Sequence, residues 1–383
     1  MRFAIFISVA VSIVAAIHYF FWTRIVRDTN MPAPYRTLTT ALLVGLGASL
    51  PLGMILSHVL PQNLRATVAW PVFVWMGVMF ILFVLLLIAE FLKIPLWSWG
   101  RLFGGGSLHH DRREFFARLL GGSAGALAGG LGSYAVHEAL SSLHVREVQV
   151  KLDRLPAARR GTTIAQITDL HLGPTIGRAY CQEVVDRINA RNPDVIAITG
   201  DLVDGSVDDL RDAAAPLGTL KARHGVYFVT GNHEYYSGVD PWIAELQRLG
   251  VRVLRNEHVI IGDAAEGFVL AGVDDYMAHG EGHGSDMPRA LQGRPEELAV
   301  VLLAHQPRHV HEAEKLGVDL QISGHTHGGQ IWPFHLVVRM VQPFVAGLGR
   351  KGNTQIYTSH GTGYWGPPLR IGTQAEITLL TLV

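Results

Sequence analysis

The distribution of apolar and polar positions divides the chain into two regions of different character. Three long stretches in the first region carry no Asp, Glu, Lys or Arg: residues 3–23, 37–63 and 66–89. Each is as long as the roughly 20 residues that a helix needs to cross a bilayer. We therefore predict three transmembrane helices, with aromatic residues of the membrane interface near their ends at Trp22, Trp70 and Trp97.

A fourth stretch, residues 119–137, is rich in Gly and Ala and only weakly hydrophobic. It follows Arg112 and Arg113, and two interpretations of residues 112–137 stay open. The first is an internal segment that resembles a twin-arginine export signal. The second is a basic loop followed by a small-residue helix that packs in the membrane. The basic residues of the short loops place the loops after the first and third helices in the cytoplasm. The domain that follows is then extracytoplasmic if 119–137 spans the membrane.

The pattern changes after the membrane region, which we assign to residues 1–145 with three to four transmembrane helices. Short apolar runs alternate with amphipathic segments from residue 163 onward. Strands are predicted at 163–168, 194–199, 226–230, 251–261, 267–273, 298–304, 319–323, 355–359 and 374–382, and helices at 178–191, 209–223 and 240–249. This order favours a parallel α/β arrangement in a domain of residues 146–383. Residues 279–286 and 328–353 are predicted to be irregular.

Composition and charge indicate which kinds of partner to expect. The chain has 383 residues, 32 basic and 32 acidic side chains and 19 histidines. Because the formal net charge is zero, no basic field favours nucleic acid. The single cysteine, Cys181, excludes an intrachain disulfide. The membrane region makes the membrane itself a partner, and the oligomeric state is left open.

Side chains that bind divalent metals recur after the predicted strands. They occur, in order, as Asp169 and His171, Asp201, Asn232 and His233, His305, and His325 and His327. All offer oxygen or nitrogen donors. In a parallel sheet the carboxyl ends of the strands meet at one edge, so these donors are expected to converge there. Residues i and i+2 on an extended segment point the same way, which would bring Asp169 to His171, and His325 to His327.

Glycines precede two of these donors. Gly200 and Gly231 are expected to allow sharp turns into the site. A carboxylate has two oxygens, so Asp201, which stands alone after its strand, is the natural bridge between two cations. Glu234 is predicted not to be a ligand, and His309 and His311 are predicted to lie at the surface. His279 and His283 are candidates for the substrate pocket.

These motifs together resemble the calcineurin-like metallophosphoesterase superfamily over about residues 165–383. The segment Gly324-His325-Thr326-His327-Gly328-Gly329 is similar to its bacterial membrane-associated or exported phosphodiesterase branch. The resemblance implies a four-layer αββα sandwich. It also implies one metal held by Asp169, His171, Asp201 and His327, and a second held by Asp201, Asn232, His305 and His325. His and carboxylate ligands suit Mn, Zn or Fe alike.

Two metals in such a site can hold a bridging hydroxide for attack on phosphorus. The resemblance gives His233 the role of assisting the leaving group. Asp204 is a candidate for orienting an imidazole, and His360 is a candidate for contact with the site or the substrate. The expected function is hydrolysis of a phosphodiester or pyrophosphate bond at a bacterial inner membrane, in a lipid-linked or cell-envelope substrate.

Other functions stay open at this point. A catalytically silent scaffold or sensor with a degenerate domain would be indicated by a missing ligand, and none is missing. Some relatives in the resembled superfamily cleave the pyrophosphate of UDP-diacylglucosamine, which is a narrower alternative activity. A transporter with a regulatory domain would be indicated by ionisable residues within the helices, where only His18 and His58 occur.

Overall fold

The structure is a computed structural model that describes residues 2–102, 110–141, 143–263, 266–278, 280 and 282–383. The chain divides into two compact units. The first comprises Met1–His137 with Pro367–Leu369, and the second comprises Glu138–Gly366 with Arg370–Val383. The domain boundary between residues 145 and 146 stays a prediction.

The first unit is helical. Its elements are α1 (Arg2–Phe21), which continues as a π-helical turn (Trp22–Arg27), α2 (Ala33–Val59), α3 (Gln62–Leu102) and α4 (His110–Ser141). Three segments are long and apolar enough to cross a membrane: Ser8–Arg27, Ala33–Leu56 and Leu64–Leu92. Each of them overlaps one of the three predicted stretches. Residues 119–137 are helical within α4, but their crossing of a membrane stays a prediction. The side chains of Trp97 and His58 lie outside the described part of the chain.

His18 links the helices of the first unit. Its buried ring accepts a hydrogen bond from the indole nitrogen of Trp75 on α3 at 3.3 Å, and its Nδ1 bonds the carbonyl of Val14 at 2.8 Å. A Cβ at Gly47 on α2 would lie only 3.1 Å from this ring. The small residue therefore lets α2 approach closely, and His18 serves in helix packing.

The second unit alternates strands and helices. Its first half contains β1 (Leu143–Val150), β2 (Thr163–Ile167), α5 (Arg178–Asn189), β3 (Val195–Thr199), α6 (Val207–Ala214), β4 (Val226–Val229), α7 (Asn232–Ser237), α8 (Val239–Arg248), β5 (Arg252–Val253) and β6 (Glu257–Ile261). Its second half contains β7 (Phe268–Gly272), α9 (Met287–Ala290), β8 (Val300–Leu303), α10 (Val310–Lys315), β9 (Leu320–Ser323), α11 (His335–Val341), β10 (Gly347–Lys351), β11 (Thr354–Thr358) and β12 (Ala375–Leu382).

The strands form two six-stranded sheets. The first has the order β1-β12-β2-β3-β4-β5, and the second has the order β10-β11-β9-β8-β7-β6. Strands β2 to β5 are mutually parallel, as are β7, β8, β9 and β11. Parallel strands present their carboxyl ends together, so each sheet has one edge at which the following loops collect.

Alternating side chains of each strand fill different layers. On the first sheet, Ile164 and Ala197 face a core shared with Val301 and Ile322 of the second sheet. The opposite face of the first sheet packs on α5, α6 and α8, and the outer face of the second sheet packs on α9 and α10. The order of layers is therefore helices, sheet, sheet, helices, which confirms the predicted αββα sandwich.

Two expectations about local structure are wrong. Residues 328–353 are not irregular, because they contain α11 and β10. The single strand predicted at 251–261 is divided into β5 and β6, because Asn256 between them adopts a positive φ of 53° that interrupts extended backbone. Strand β1 was not predicted from the sequence. It pairs with β12 along all eight of its residues.

Candidate metal centre

The candidate donors lie in loops that leave the carboxyl ends of strands. Asp169 follows β2, Asp201 follows β3 and Asn232 follows β4 in the first sheet. His305 follows β8 and His325 follows β9 in the second sheet. The loops of the two sheets meet, because the backbone nitrogen of His325 donates to the Asp169 carboxylate at 2.9 Å. The expected convergence at the strand ends is what the structure shows.

The backbone reason for this convergence differs from the expected one. Asp169, His171, Asp201, His325 and His327 all adopt positive φ angles, between 49° and 71°. None of these five residues is therefore extended, and the expectation of an i, i+2 strand arrangement is wrong. Left-handed backbone bends each loop sharply. Non-glycine residues that adopt it cluster at functional sites, where the surrounding structure holds them in place.

Gly200 and Gly231 permit close contacts between neighbouring loops of the site. Gly200 has a φ of 83°, and a Cβ there would collide with the backbone of Gly231. Gly231 instead has an ordinary φ of −102°, so the sharp turn expected at this position is wrong. A Cβ at Gly231 would collide with the Asp201 carboxylate. Glycine is required there because of that contact.

One group of donors contains Asp169, His171 and His327. The Nε2 atoms of His171 and His327 lie 3.1 Å apart, and His327 Nε2 lies 3.4 Å from Asp169 Oδ1. His171 Nδ1 lies 3.2 Å from the Asp204 carboxylate, to which it can donate. That hydrogen bond leaves the His171 Nε2 lone pair directed at the other two donors. Asp169 and His327 are buried, as is His171.

A second group contains Asp201, His305 and His325. Asp201 Oδ2 lies 3.0 Å from His305 Nε2, and His325 Nδ1 lies 3.2 Å from the same nitrogen. His305 Nδ1 is 2.8 Å from the carbonyl of Thr199, so its Nε2 is the atom that faces the site. Each group brings its ligand atoms within 4.8 Å of one another.

The Asp201 carboxylate lies between the two groups. Its Oδ2 is 4.0 Å from His171 Nε2 and 3.0 Å from His305 Nε2. Asn232 Oδ1 is buried and, within the described part of the chain, has no hydrogen-bond partner. A buried carbonyl oxygen without a partner is costly unless it binds a cation. The donor set and this oxygen both fit divalent metals.

Burial and neighbouring charges set the protonation of these groups. Burial opposes the charge on Asp201, yet His305 and His233 hold the Asp201 pKa well below its usual value. Burial beside His305 lowers the pKa of His325 to about 3, and burial beside His171 holds the pKa of His327 well below its usual value. Neutral imidazoles offer the lone pairs that metal binding requires.

His233 lies at the open side of the donors. Its Nδ1 is 2.5 Å from Asp204 Oδ1, and its Nε2 is 3.9 Å from Asp201 Oδ2. Burial lowers the pKa of His233, but Asp201 and Asp204 together raise it to about 9. Asp204 therefore contacts both His171 and His233 and fixes the orientation of both rings. The ring centroids of Tyr236 and Trp365 lie 5.4 Å and 6.2 Å from that of His233.

Glu234 has a role that the sequence did not indicate. Its buried carboxylate accepts hydrogen bonds from the backbone nitrogens of Asp201 at 3.0 Å, Leu202 at 2.7 Å and Gly231 at 2.6 Å. It therefore holds two metal-donor loops together without facing the metals. Its position, three residues after the glycine that precedes α7, matches the glutamate half of a capping box, in which the glutamate accepts from the N-cap nitrogen.

Other histidines lie away from the donors. His360 Nδ1 is 3.0 Å from the buried Glu376 carboxylate, and the ring belongs to neither of the two donor groups described above. His283 contacts Arg255 and Asp240 instead. The expectation that His309 lies at the surface is wrong, since its ring is buried and its Nε2 is 3.1 Å from Ser285 Oγ. His311 is exposed, as expected. His279 lies outside the described residues.

Known metallophosphoesterases are similar to this chain in sequence. A transmembrane protein with metallophosphoesterase domain from Danio rerio is 40% identical over 262 residues, which are 66% of this chain and 60% of that protein. This chain thus spans less than two thirds of that relative's length. A metallophosphoesterase from Aquifex aeolicus is 35% identical over 259 residues, which are 66% of this chain and 96% of that protein.

A solved structure of a dimetal phosphatase from Danio rerio covers 53% of this chain and 88% of its own, with 15% identity and a TM-score of 0.37. Residues 162–329 match the calcineurin-like phosphoesterase family. These residues contain all seven donor positions described above. The chain belongs to the calcineurin-like phosphoesterase family.

Proposed function

We propose that this chain is a membrane-anchored, metal-dependent phosphohydrolase that cleaves a phosphodiester or pyrophosphate bond. The observation that carries the proposal is the convergence of two donor groups on either side of the Asp201 carboxylate. A catalytically silent scaffold would be expected to lack one of the donors, and the complete set argues against it.

We assign the donors to two metal sites. One site would be held by Asp169, His171, Asp201 and His327. The other would be held by Asp201, Asn232, His305 and His325. Two bound divalent ions would supply Lewis acidity and a nucleophile at neutral pH. We propose Mn, Zn or Fe, since the donor types suit all three.

His233 is the proposed general acid. Two contacts support this role: Asp204 bonds Nδ1 of the ring, and Nε2 lies 3.9 Å from Asp201 Oδ2, beside the proposed metal sites. A protonated imidazole in this place can donate a proton to the departing oxygen. Asp204 acts through His171 and His233, so we propose it as a positioning residue rather than a catalytic one. His360 contributes more remotely, by packing behind the loop at Gly328.

The substrate is proposed to be a lipid or another cell-envelope phosphate ester. Three helices of membrane-crossing length support this, because they would hold the phosphoesterase domain at a bilayer. The Danio rerio relative is likewise described as a transmembrane protein. We propose a multi-pass bacterial inner-membrane protein whose phosphoesterase domain faces away from the cytoplasm.

Hydrolysis of two soluble esters tests the proposed activity. We expect the full chain in detergent to hydrolyse bis-p-nitrophenyl phosphate faster than p-nitrophenyl phosphate when Mn²⁺ is present. Chelation should abolish both activities, because the nucleophile would depend on bound metal. Release of p-nitrophenolate measures the rates.

The results of these assays distinguish the proposed function from its alternatives. Turnover that survives chelation would contradict a metal-dependent site. A protein that binds stoichiometric metal and hydrolyses neither ester nor a sugar-nucleotide pyrophosphate would support the scaffold interpretation. Faster cleavage of the monoester would contradict the proposed preference for diesters.

A further inference from the structure

An apolar surface projects from the phosphoesterase domain on the segment that follows the last metal donor. We call it the apolar rim and define it by five side chains: Trp332, Leu336, Val337, Met340 and Val341. They are 54%, 54%, 50%, 83% and 58% exposed, respectively. Contiguous exposed apolar residues of this size mark an interaction surface. The rim is therefore a candidate interaction surface.

Helix α11 shows that this exposure is built into the sequence. An ordinary surface helix turns its polar residues to water and its apolar residues to the core. In α11 the buried apolar residue is Val338, while Leu336, Val337, Met340 and Val341 point outward. Arg339 is the charged residue of this helix. The helix thus presents to its surroundings the kind of face that a lipid interface accepts.

The segment that carries the rim packs closely against the loop that holds the candidate donor His327. Gly329, two residues after His327, has a φ of 84°, and a Cβ there would lie 2.5 Å from the backbone of His335, where α11 begins. The Gln330 side chain exchanges hydrogen bonds with the backbone of Trp365, at 3.0 Å and 2.9 Å. Trp365 is itself exposed and neighbours His233. Close packing and these hydrogen bonds therefore connect the segment that carries the rim to the candidate active site.

Basic side chains line a groove that adjoins the rim. A groove of about 830 Å³ has Arg308, Lys315 and Arg339 in its lining, together with Met340 and Val341 of the rim. The Arg308 guanidinium lies 4.7 Å above the Tyr276 ring and donates to the carbonyl of Val341 at 2.9 Å. Among the described residues that line the groove, Glu312 is the single acidic one. The groove thus has an excess of positive charge.

We propose that the apolar rim inserts into the headgroup region of the bilayer that carries this chain, with the cations of the groove facing anionic lipid headgroups. Trp, Leu and Met beside Arg and Lys are the composition of interfacial membrane anchors. The membrane-crossing helices keep the domain at high effective concentration near such a surface. This proposal does not depend on the hydrolytic activity proposed above, because its test measures depth in the bilayer.

Spin labels on the full chain in lipid nanodiscs test the insertion. Cys181 is fully buried, so the parent chain controls for unwanted labelling. One label is attached at Met340→Cys and, in a matched control, at Asp208→Cys, another exposed position. Power saturation compares collisions with oxygen, which concentrates in lipid, and with a water-soluble nickel chelate. We expect oxygen to dominate at residue 340 and the nickel chelate to dominate at residue 208.

Any other pattern of access of the two reagents to the labels contradicts the proposal. Equal access of the nickel chelate to both labels would show that the rim lies in water. A label at residue 340 that is shielded from both reagents would show that protein covers the rim, as in a dimer or an intramolecular contact. Because Met340 is 83% exposed, its replacement by Cys does not threaten folding.

The lipid charge is tested separately. Adding phosphatidylglycerol to phosphatidylcholine nanodiscs should increase the protection of the label at residue 340 from the nickel chelate. The double variant Lys315→Gln and Arg339→Gln should lose that increase, because it removes two cations of the groove. Protection that is independent of phosphatidylglycerol in both proteins would contradict the role of anionic headgroups.

Discussion

At the scale of single residues, the candidate metal centre depends on unusual backbone at the donors themselves. Five of the seven proposed ligands adopt left-handed backbone, which costs about 1–3 kcal/mol each in ordinary residues. Backbone hydrogen bonds to carboxylates hold two of these loops. The His233 nitrogen donates to Asp201 Oδ1 at 2.9 Å, and the His325 nitrogen donates to Asp169 at 2.9 Å. The donors are therefore preorganised.

Replacing His233 tests the proposed general acid. We expect His233→Asn to lower kcat for a phosphodiester by about 10²–10⁴-fold, because proton donation to the leaving group is lost. Manganese content should stay unchanged, since His233 is not a proposed ligand. Steady-state kinetics and metal analysis measure the two quantities.

A matched histidine variant controls this prediction. His311→Asn changes an exposed residue outside the centre, and its turnover of the soluble ester should equal that of the parent chain. If His233→Asn retained full turnover with an activated leaving group and also with a poor one, His233 would not be the general acid.

At the scale of elements, a buried carboxylate joins the strands behind the centre. Glu376 on β12 accepts hydrogen bonds from Tyr357 on β11 at 2.8 Å and from His360, and it pairs with Arg146 on β1 at 3.0 Å. Burial opposes its charge, but these partners, His360 foremost, lower the pKa of Glu376 from 4.5 to about 2. Glu376 thus connects both sheets in its charged form.

Glu376→Gln should destabilise the protein at neutral pH. The depressed pKa corresponds to about 3 kcal/mol of stability that is present above the unfolded pKa and is lost as pH falls toward the folded value. We expect a lower unfolding temperature than the parent at about pH 7, and a difference that shrinks between about pH 4.5 and pH 2. Thermal unfolding in detergent across this range measures both.

The control is Glu183→Gln, which removes half of an exposed pair with Arg187. Its effect should stay within about 1 kcal/mol, because surface ion pairs contribute little. A Glu376→Gln variant as stable as the parent at neutral pH would show that the buried charge does not stabilise the sheets.

Elements with strong patterns could be predicted from the sequence. The apolar runs of β2, β3 and β4 were placed within a few residues, and the predicted long apolar stretches overlap α1, α2 and α3. Buried strands and membrane helices both need continuous apolar sequence. Elements that depend on tertiary contacts were missed. Helix α11 exposes its apolar residues, and β10 pairs only with β11, so neither carries an ordinary amphipathic pattern.

Within the candidate site, too, features with a local sequence pattern could be predicted, and features that depend on tertiary contacts could not. The side chains that converge at the strand ends could be predicted, because Asp, Asn and His follow strands in a repeated manner. The positive φ angles of Asp169 and His325 could not, since tertiary hydrogen bonds impose them. Likewise Glu234 and the burial of His309 depend on residues distant in sequence.

At the scale of the whole molecule, the chain combines a helical unit, which contains three segments long and apolar enough to cross a membrane, with an αββα phosphoesterase domain. This combination would restrict the proposed enzyme to substrates near a bilayer. The side of the membrane on which the domain lies follows from whether residues 119–137 cross it.

A reporter fusion tests the proposed orientation. Alkaline phosphatase joined after Val383 should be active, because that enzyme requires an environment outside the cytoplasm. The same reporter joined after Met31, in the loop predicted to be cytoplasmic, should be inactive. An inactive C-terminal fusion that is stably produced would place the domain in the cytoplasm and remove the fourth crossing.

A chain with the two proposed sites would hold two metals that share Asp201 as a ligand. A count of bound manganese, together with its electron paramagnetic resonance spectrum, tests this arrangement. We expect two Mn²⁺ per full-length chain with the spectrum of a magnetically coupled pair. Asp201→Asn should bind less metal and lose the coupling, while the exposed control Asp208→Asn should match the parent. One Mn²⁺ per chain, or two uncoupled ions that are unaffected by Asp201→Asn, would contradict the account.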